Sequence, residues 1–200
     1  MLEVKDATIA VGGKTLATGL SFIARDGELT CITGPQGSGK TTLLRTLMGF
    51  LPVGEGFVSV DGELLTVYSA HAFRTLMTYL PQQIEMLAHQ LTPPVAPACE
   101  ADEYAVWNAL LPSIQPEPQP EPLSSEQILM LAEQTIREAG SKSILIADEP
   151  AVLLPPELTQ RLIVLFLEQA TQGKTVLIAS RNPLLVSQAH QVIDLNTYMI

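Results

Sequence analysis

Apolar and polar positions along this chain alternate between two periods, and the switches mark successive elements. Leu2–Ile9 and Leu20–Arg25 read as short strands, with turns supplied by Gly12-Gly13 and Asp26-Gly27. Leu29–Thr33 is an apolar strand that runs straight into a glycine-rich loop, and Lys40–Met48 has helical character. Phe57–Val60 is a strand ended by the Asp61-Gly62 turn, and His71–Leu76 predicts a short helix leading to a strand at Met77–Leu80. In the last third, helices at Ser125–Ala139, Pro156–Gln172 and Pro183–Ala189 alternate with strands at Ile144–Ala147, Thr175–Ala179 and Gln191–Leu195.

Strands alternating with helices predict an α/β fold with a mostly parallel sheet flanked by helices. The hairpin pattern at the front predicts an added antiparallel β layer. A hydrophobic fraction of 46% with only 5% aromatic residues makes aliphatic side chains dominant, as expected of buried parallel strands. At 200 residues the chain fits one domain, 1–200, with a sizeable core. Between Thr92 and Pro122 lie eight of its 15 prolines, a composition that resists helix. Residues 83–122 therefore read as an exposed insert or linker, with one amphipathic piece around Tyr104–Leu111.

Charge and special residues narrow the function classes. A net charge of −10 repels phosphate backbones, which argues against nucleic acid as a partner but leaves room for a nucleotide in a local pocket. No run approaches the roughly 18 apolar residues needed to cross a bilayer. The first residues alternate like a strand and lack the pattern of a signal peptide. Cys31 and Cys99 make no disulfide framework, and Cys31 in an apolar strand reads as a core residue. His71, His89 and His190 have no ligand spacing. Trp107 and Tyr104 read as packing under the insert or as a docking patch.

Two motifs carry chemistry. Gly34-Pro35-Gln36-Gly37-Ser38-Gly39-Lys40-Thr41 matches G-x-x-x-x-G-K-[ST] between a predicted strand and a predicted helix. Glycines let the backbone curl so that successive N–H groups point at phosphate oxygens, and the helix N-terminus adds partial positive charge. Lys40 is expected to reach the β- and γ-phosphates of ATP, and Thr41 to ligate Mg²⁺. The strand Ile144–Ala147 ends in Asp148-Glu149, and ligands in open α/β sheets sit at such strand ends. Asp148 is expected in the Mg²⁺ shell and Glu149 beside the attacking water.

With Gly34–Thr42, Gln82 and Asp148-Glu149 together, the chain resembles the ATP-binding subunits of ABC transporters over nearly its whole length. The resemblance implies a P-loop NTPase fold with an N-terminal β subdomain and a shortened helical subdomain. It identifies Thr78–Gln82 as a Q-loop whose Gln82 contacts Mg²⁺ and water, and Thr42 as part of the nucleotide site. It implies a head-to-tail homodimer or heterodimer of ATP-binding domains. It also implies a polytopic membrane subunit as partner and a place on the cytoplasmic face of the membrane.

Several positions depart from the family pattern. The signature, usually Leu-Ser-Gly-Gly-Gln, appears as Leu123-Ser124-Ser125-Glu126-Gln127, retaining Ser124 for nucleotide contact but neither glycine. Arg181 stands where a switch histidine is expected, either to neutralise phosphate charge or as a solvated loop residue. No aromatic lies near Val11 to stack on adenine, and Val152–Pro155 replaces a Ser-Ala-Leu-Asp type segment. Two readings follow: a transporter ATPase, or a nucleotide-binding module that turns over little, either regulatory or one half of a heterodimer. A P-loop small-molecule kinase is the weaker third, because the six arginines are scattered rather than gathered in a lid.

Overall fold

The computed structural model describes residues 1–84 and 123–199. Among the described residues, nine strands form two sheets. β1 (Leu2–Val11), β2 (Lys14–Ala24), β4 (Phe57–Val60) and β5 (Glu63–Leu64) form an antiparallel sheet in the order β2-β1-β4-β5. β3 (Leu29–Thr33), β6 (Met77–Leu80), β7 (Ile144–Asp148), β8 (Thr175–Ala179) and β9 (Gln191–Asp194) form a sheet in the order β6-β7-β8-β3-β9, every pairing parallel. The α-helices among the described residues are α1 (Lys40–Leu47), α2 (Ala70–Thr75), α3 (Ser125–Glu138), α4 (Pro156–Thr171) and α5 (Pro183–Gln188). This is the expected α/β P-loop architecture.

Strands β7 and β8 are buried at every position, so both faces of the parallel sheet must be covered. Period-two alternation divides their side chains between two cores. Ile144, Ile146, Leu177, Ala179 and Ile32 join Leu43, Leu44 and Leu47 of α1 and the inner face of the antiparallel sheet. Leu145, Ala147, Val176 and Ile178 pack against Ile128 and Leu129 of α3, Leu162 and Phe166 of α4, and Leu185 of α5. Each fully buried aliphatic or aromatic side chain of this kind contributes about 2 kcal/mol of transfer free energy.

One sequence expectation needs correction. β2 begins at Lys14, directly after the Gly12-Gly13 turn, and not at Leu20. The strand is hidden in the sequence because Gly19 adopts φ +66° and the β1–β2 register shifts three times between Val4 and Ala10, which breaks the period-two pattern. The two-residue strand β5, formed by the Asp61-Gly62 turn, is too short to leave a periodic signature. The proline-rich stretch, the Tyr104–Leu111 piece, Trp107, Cys99 and His89 lie outside the described residues. His71 is exposed on α2, while the His190 ring accepts the Leu29 N–H at 3.0 Å and fixes the start of β3.

Gly56 adopts φ +70° just before β4, and a Cβ there would collide with the backbone carbonyl oxygens of Lys5 and Asp6. Gly56→Ala is expected to lower unfolding stability by about 2 kcal/mol or more, because backbone must shift and a positive φ is imposed on alanine. Urea denaturation of the two proteins measures this, and an unchanged midpoint would contradict the packing described.

Candidate nucleotide site

Strand β3 sits between β8 and β9, and its C-terminal end releases the chain into the loop Gly34–Gly39 before α1 begins. Gly37 and Gly39 hold φ values of +81° and +94°, a left-handed backbone that glycine adopts without strain. Gly39 is the N-cap of α1, whose first turn contains no acidic residue, so its backbone N–H groups face outward at a partial positive charge. Ser38 is buried behind the loop, and its Oγ has no hydrogen-bond partner among the described residues.

Register carries the acidic pair to the same edge. Ala147 pairs with Ile178 and Asp148 with Ala179, while β3 lies on the other side of β8. The Glu149 N–H donates to the Ala179 carbonyl at 2.8 Å, and Glu149 itself takes φ +45°, a strained conformation for a residue with a side chain. Lys40 Nζ donates to the carbonyl oxygens of Gly34 at 2.9 Å and Pro35 at 3.1 Å, and lies 3.6 Å from Glu149 Oε1. From the far side, Arg181 Nε donates to Glu149 Oε1 at 3.3 Å, and the Arg181 backbone N–H donates to Oε2 at 3.3 Å.

These groups line one cavity of about 340 Å³, walled by Gln36, Gly37, Gly39, Lys40, Thr41, Thr42, Gln82, Glu149 and Arg181, with Val11 and Leu16 on its apolar side. The structure therefore gathers the loop glycines, Lys40, Thr41, Thr42, Gln82 and Glu149. Gly34, Pro35 and Ser38 form the loop's turn behind them. Leu16 was not legible in the sequence, since the only hint was its place just after a hairpin turn. Val11 and Leu16 supply an aliphatic surface where an aromatic was expected.

Asp148 is buried beneath this cavity, and its Oδ1 has no hydrogen-bond partner among the described residues. Burial pushes its carboxyl above the ordinary carboxylate range, the Thr41 hydroxyl opposes that rise, and the charge of Glu149 adds to it. Burial and then the Asp148 charge push the neighbouring Tyr79 hydroxyl up to about 12. A buried carboxylate oxygen without a donor, next to a hydroxyl and below a phosphate-binding loop, fits a hard divalent cation that takes oxygen ligands. Among the described residues no group of three or more His, Cys, Asp or Glu side chains forms a metal cage of its own. Magnesium, which keeps waters and shares phosphate oxygens, does not need one.

Ser124 does not reach this cavity. It is the N-cap of α3, where its Oγ accepts the Gln127 N–H at 3.3 Å and its own N–H donates to Gln127 Oε1 at 2.8 Å. Ser125 Oγ donates to the Leu153 carbonyl at 3.0 Å, joining the start of α3 to the segment after Glu149. Cys31 lies in the core as expected, and burial pushes its thiol up to about 12.

A phosphate-curling loop and an acidic strand end on a parallel sheet define a nucleotide-binding P-loop protein. The sequence profile described as ABC transporter matches residues 17–152, and the chain belongs to that family. The hemin import ATP-binding protein of Ruegeria sp. (strain TM1040) is 41% identical over 81 residues, covering 40% of this chain and 31% of that protein. An ABC transporter ATP-binding/permease protein of Mycobacterium tuberculosis is 28% identical over 96% of this chain and 24% of its own length. The chain thus spans about a third or less of these relatives. Among solved structures, an ABC transporter ATP-binding protein from Pyrococcus furiosus superposes with a TM-score of 0.69 at 19% identity, covering 100% of this chain and 99% of that one. A dimeric ATP-binding cassette bound to ADP and Pi gives a TM-score of 0.69 at 18% identity, over 97% and 94% of the two chains. The fold is that of an ATP-binding cassette. Among the described residues no helix is long and apolar enough to cross a membrane.

The raised Asp148 carboxyl has a consequence for stability. The folded state holds the proton more tightly than the unfolded chain, so stability falls as pH rises from the ordinary carboxylate value through the raised one. Asp148→Asn removes that cost and is expected to raise the Tm at pH 7 by a few degrees while leaving the Tm near pH 4 almost unchanged. Thermal melts at the two pH values decide it, and a lower Tm at pH 7 would contradict the burial argument.

Proposed function

We propose that this chain is the ATP-binding subunit of an ABC-type membrane transporter, binding Mg-ATP and coupling its binding and hydrolysis to transport. The observation that carries the reading is the meeting of Lys40, Thr41, Gln82 and Glu149 around one cavity at the mouth of the phosphate loop. The backbone N–H groups of Gly37 to Thr42 bind phosphate oxygens, and Lys40 pairs with the β- and γ-phosphates. Thr41, Asp148 and Gln82 would hold Mg²⁺, which neutralises charge on the phosphates when bound. Glu149 orients and deprotonates the attacking water, its carboxylate already fixed by two cations. Val11 and Leu16 cover the base with aliphatic surface. The subunit works on the cytoplasmic face of the membrane as a homodimer or heterodimer beside a polytopic membrane partner.

One observation favours a second reading, in which the chain binds ATP but turns it over slowly, as a regulatory or heterodimer-partner module. The hydroxyl of Ser124 is engaged by the capping box of its own helix, Ser125 is bonded to Leu153, and exposed Glu126 adds a negative charge beside them. A carboxylate there repels a phosphate brought to it by a second domain.

Calorimetric titration tests the site. Lys40→Ala is expected to weaken Mg-ATP binding by roughly 100-fold, since a charge-assisted contact is lost from a buried position. Undiminished binding would sink the assignment. Steady-state ATPase rates of the parent and Glu149→Gln then separate the two readings: a clear drop supports the motor, and equal near-zero rates support the module.

A further inference from the structure

The Tyr79 hydroxyl has no part in the nucleotide contacts described so far. Tyr79 is half-buried on β6, packs against the core on the α1 side of the parallel sheet, and is not among the walls of the nucleotide cavity. Its position follows from register. Tyr79 pairs with Ile146 across the parallel β6–β7 ladder, and Asp148 lies two residues beyond Ile146. Side chains alternate along a strand, so Tyr79, Ile146 and Asp148 share the sheet face that α1 covers. The tyrosine side chain spans that diagonal, and its hydroxyl comes to the Asp148 carboxyl. From α1, Thr41 brings a second hydroxyl to the same carboxyl, and Arg45, one turn further on, adds its charge nearby.

We propose that Tyr79 is a positioning residue for the divalent cation: its hydroxyl donates to the Asp148 carboxylate oxygen other than Oδ1 and so turns Oδ1 toward the cation or its waters. The proposal rests on the Mg-ATP reading above. Three observations support it. Asp148 is 2% exposed, yet its Oδ1 has no hydrogen-bond partner among the described residues, so the two oxygens of one buried carboxyl stand in different surroundings. The cations Lys40 and Arg181 pair with Glu149, which leaves neutral hydroxyls to hold Asp148. Because Tyr79 does not line the cavity, its hydroxyl meets the bound group only through Asp148. A carboxylate ligand held by an outer donor keeps one orientation, and such outer partners are worth roughly 10–100-fold in metal affinity.

Calorimetric titration of the parent and Tyr79→Phe with ATP, once with excess Mg²⁺ and once with a chelator in its place, tests the proposal. Tyr79→Phe removes only the hydroxyl and keeps the ring in the core. It is expected to weaken Mg-ATP binding roughly three- to tenfold while changing metal-free ATP binding by less than about twofold. In an Asp148→Asn background the same substitution is expected to change neither, since the group it acts through is gone. Metal-free binding at the strength of the parent shows that the variant has folded. An equal loss with and without Mg²⁺, no loss in either, or the same loss in the Asp148→Asn background would overturn the role of Tyr79. A parent whose ATP binding gains nothing from Mg²⁺ would overturn the metal reading of Asp148 itself, a pattern distinct from the failure of Tyr79 alone.

Discussion

The site depends on one contact, the Glu149 carboxylate held between the Lys40 ammonium and the Arg181 guanidinium. It joins three segments far apart in sequence: the phosphate loop, the end of β7 and the chain leaving β8. Two cations meet at one carboxylate of the cavity wall, which concentrates positive charge locally on a chain whose overall charge is −10. The two halves of the contact differ. Lys40 is buried and pinned by loop carbonyls, so its loss strands a charge in low dielectric. Arg181 is half exposed, so its pairing with Glu149 is weaker and more easily shared with another anion.

Sheet order is what makes the contact possible. With β8 between β7 and β3, parallel strands put the loop after β3 and the acids after β7 at the same carboxyl edge, a few residues apart across β8. That order is stable because both faces of the central strands are covered, by α1 and the antiparallel sheet on one side and by α3, α4 and α5 on the other. The strain at Glu149 is held in place by this frame: its N–H is tied to β8, so the positive φ persists against a cost of order 1–3 kcal/mol.

Much of this was legible in the sequence, and the legible part is local. Gly34–Thr41 is readable because every constraint on a phosphate loop, two glycine turns, a lysine and a hydroxyl, falls within eight residues. Asp148-Glu149 is readable because an apolar run announces its strand and the acids end it. The contact of Arg181 with Glu149 is not readable in the same way, since it spans 32 residues and depends on the β7–β8 register. Leu16 escapes for a related reason: it reaches the cavity only because β2 starts at Lys14, and the irregular register that hides this start also hides Leu16.

The departures at the signature fall in a different physical category from those at Arg181 and Val11. Aliphatic Val11 and Leu16 can still exclude water from a base, and an arginine keeps a phosphate-attracting charge where a histidine is expected, so both changes are compatible with binding. Ser124 and Ser125, by contrast, have their hydroxyls engaged in holding α3 and the segment after Glu149, and Glu126 faces solvent with an acidic side chain. Groups committed to a local structure are released only at the cost of the bonds they make, about 1 kcal/mol each. On the reading proposed above, the chain's own half of an ATP site is intact, whereas the half it would present to a second domain is occupied by its own scaffold. Turnover therefore rests on Glu149 together with a surface that a second domain must present, and a partner that supplies that surface would restore turnover without any change at Lys40, Asp148 or Glu149.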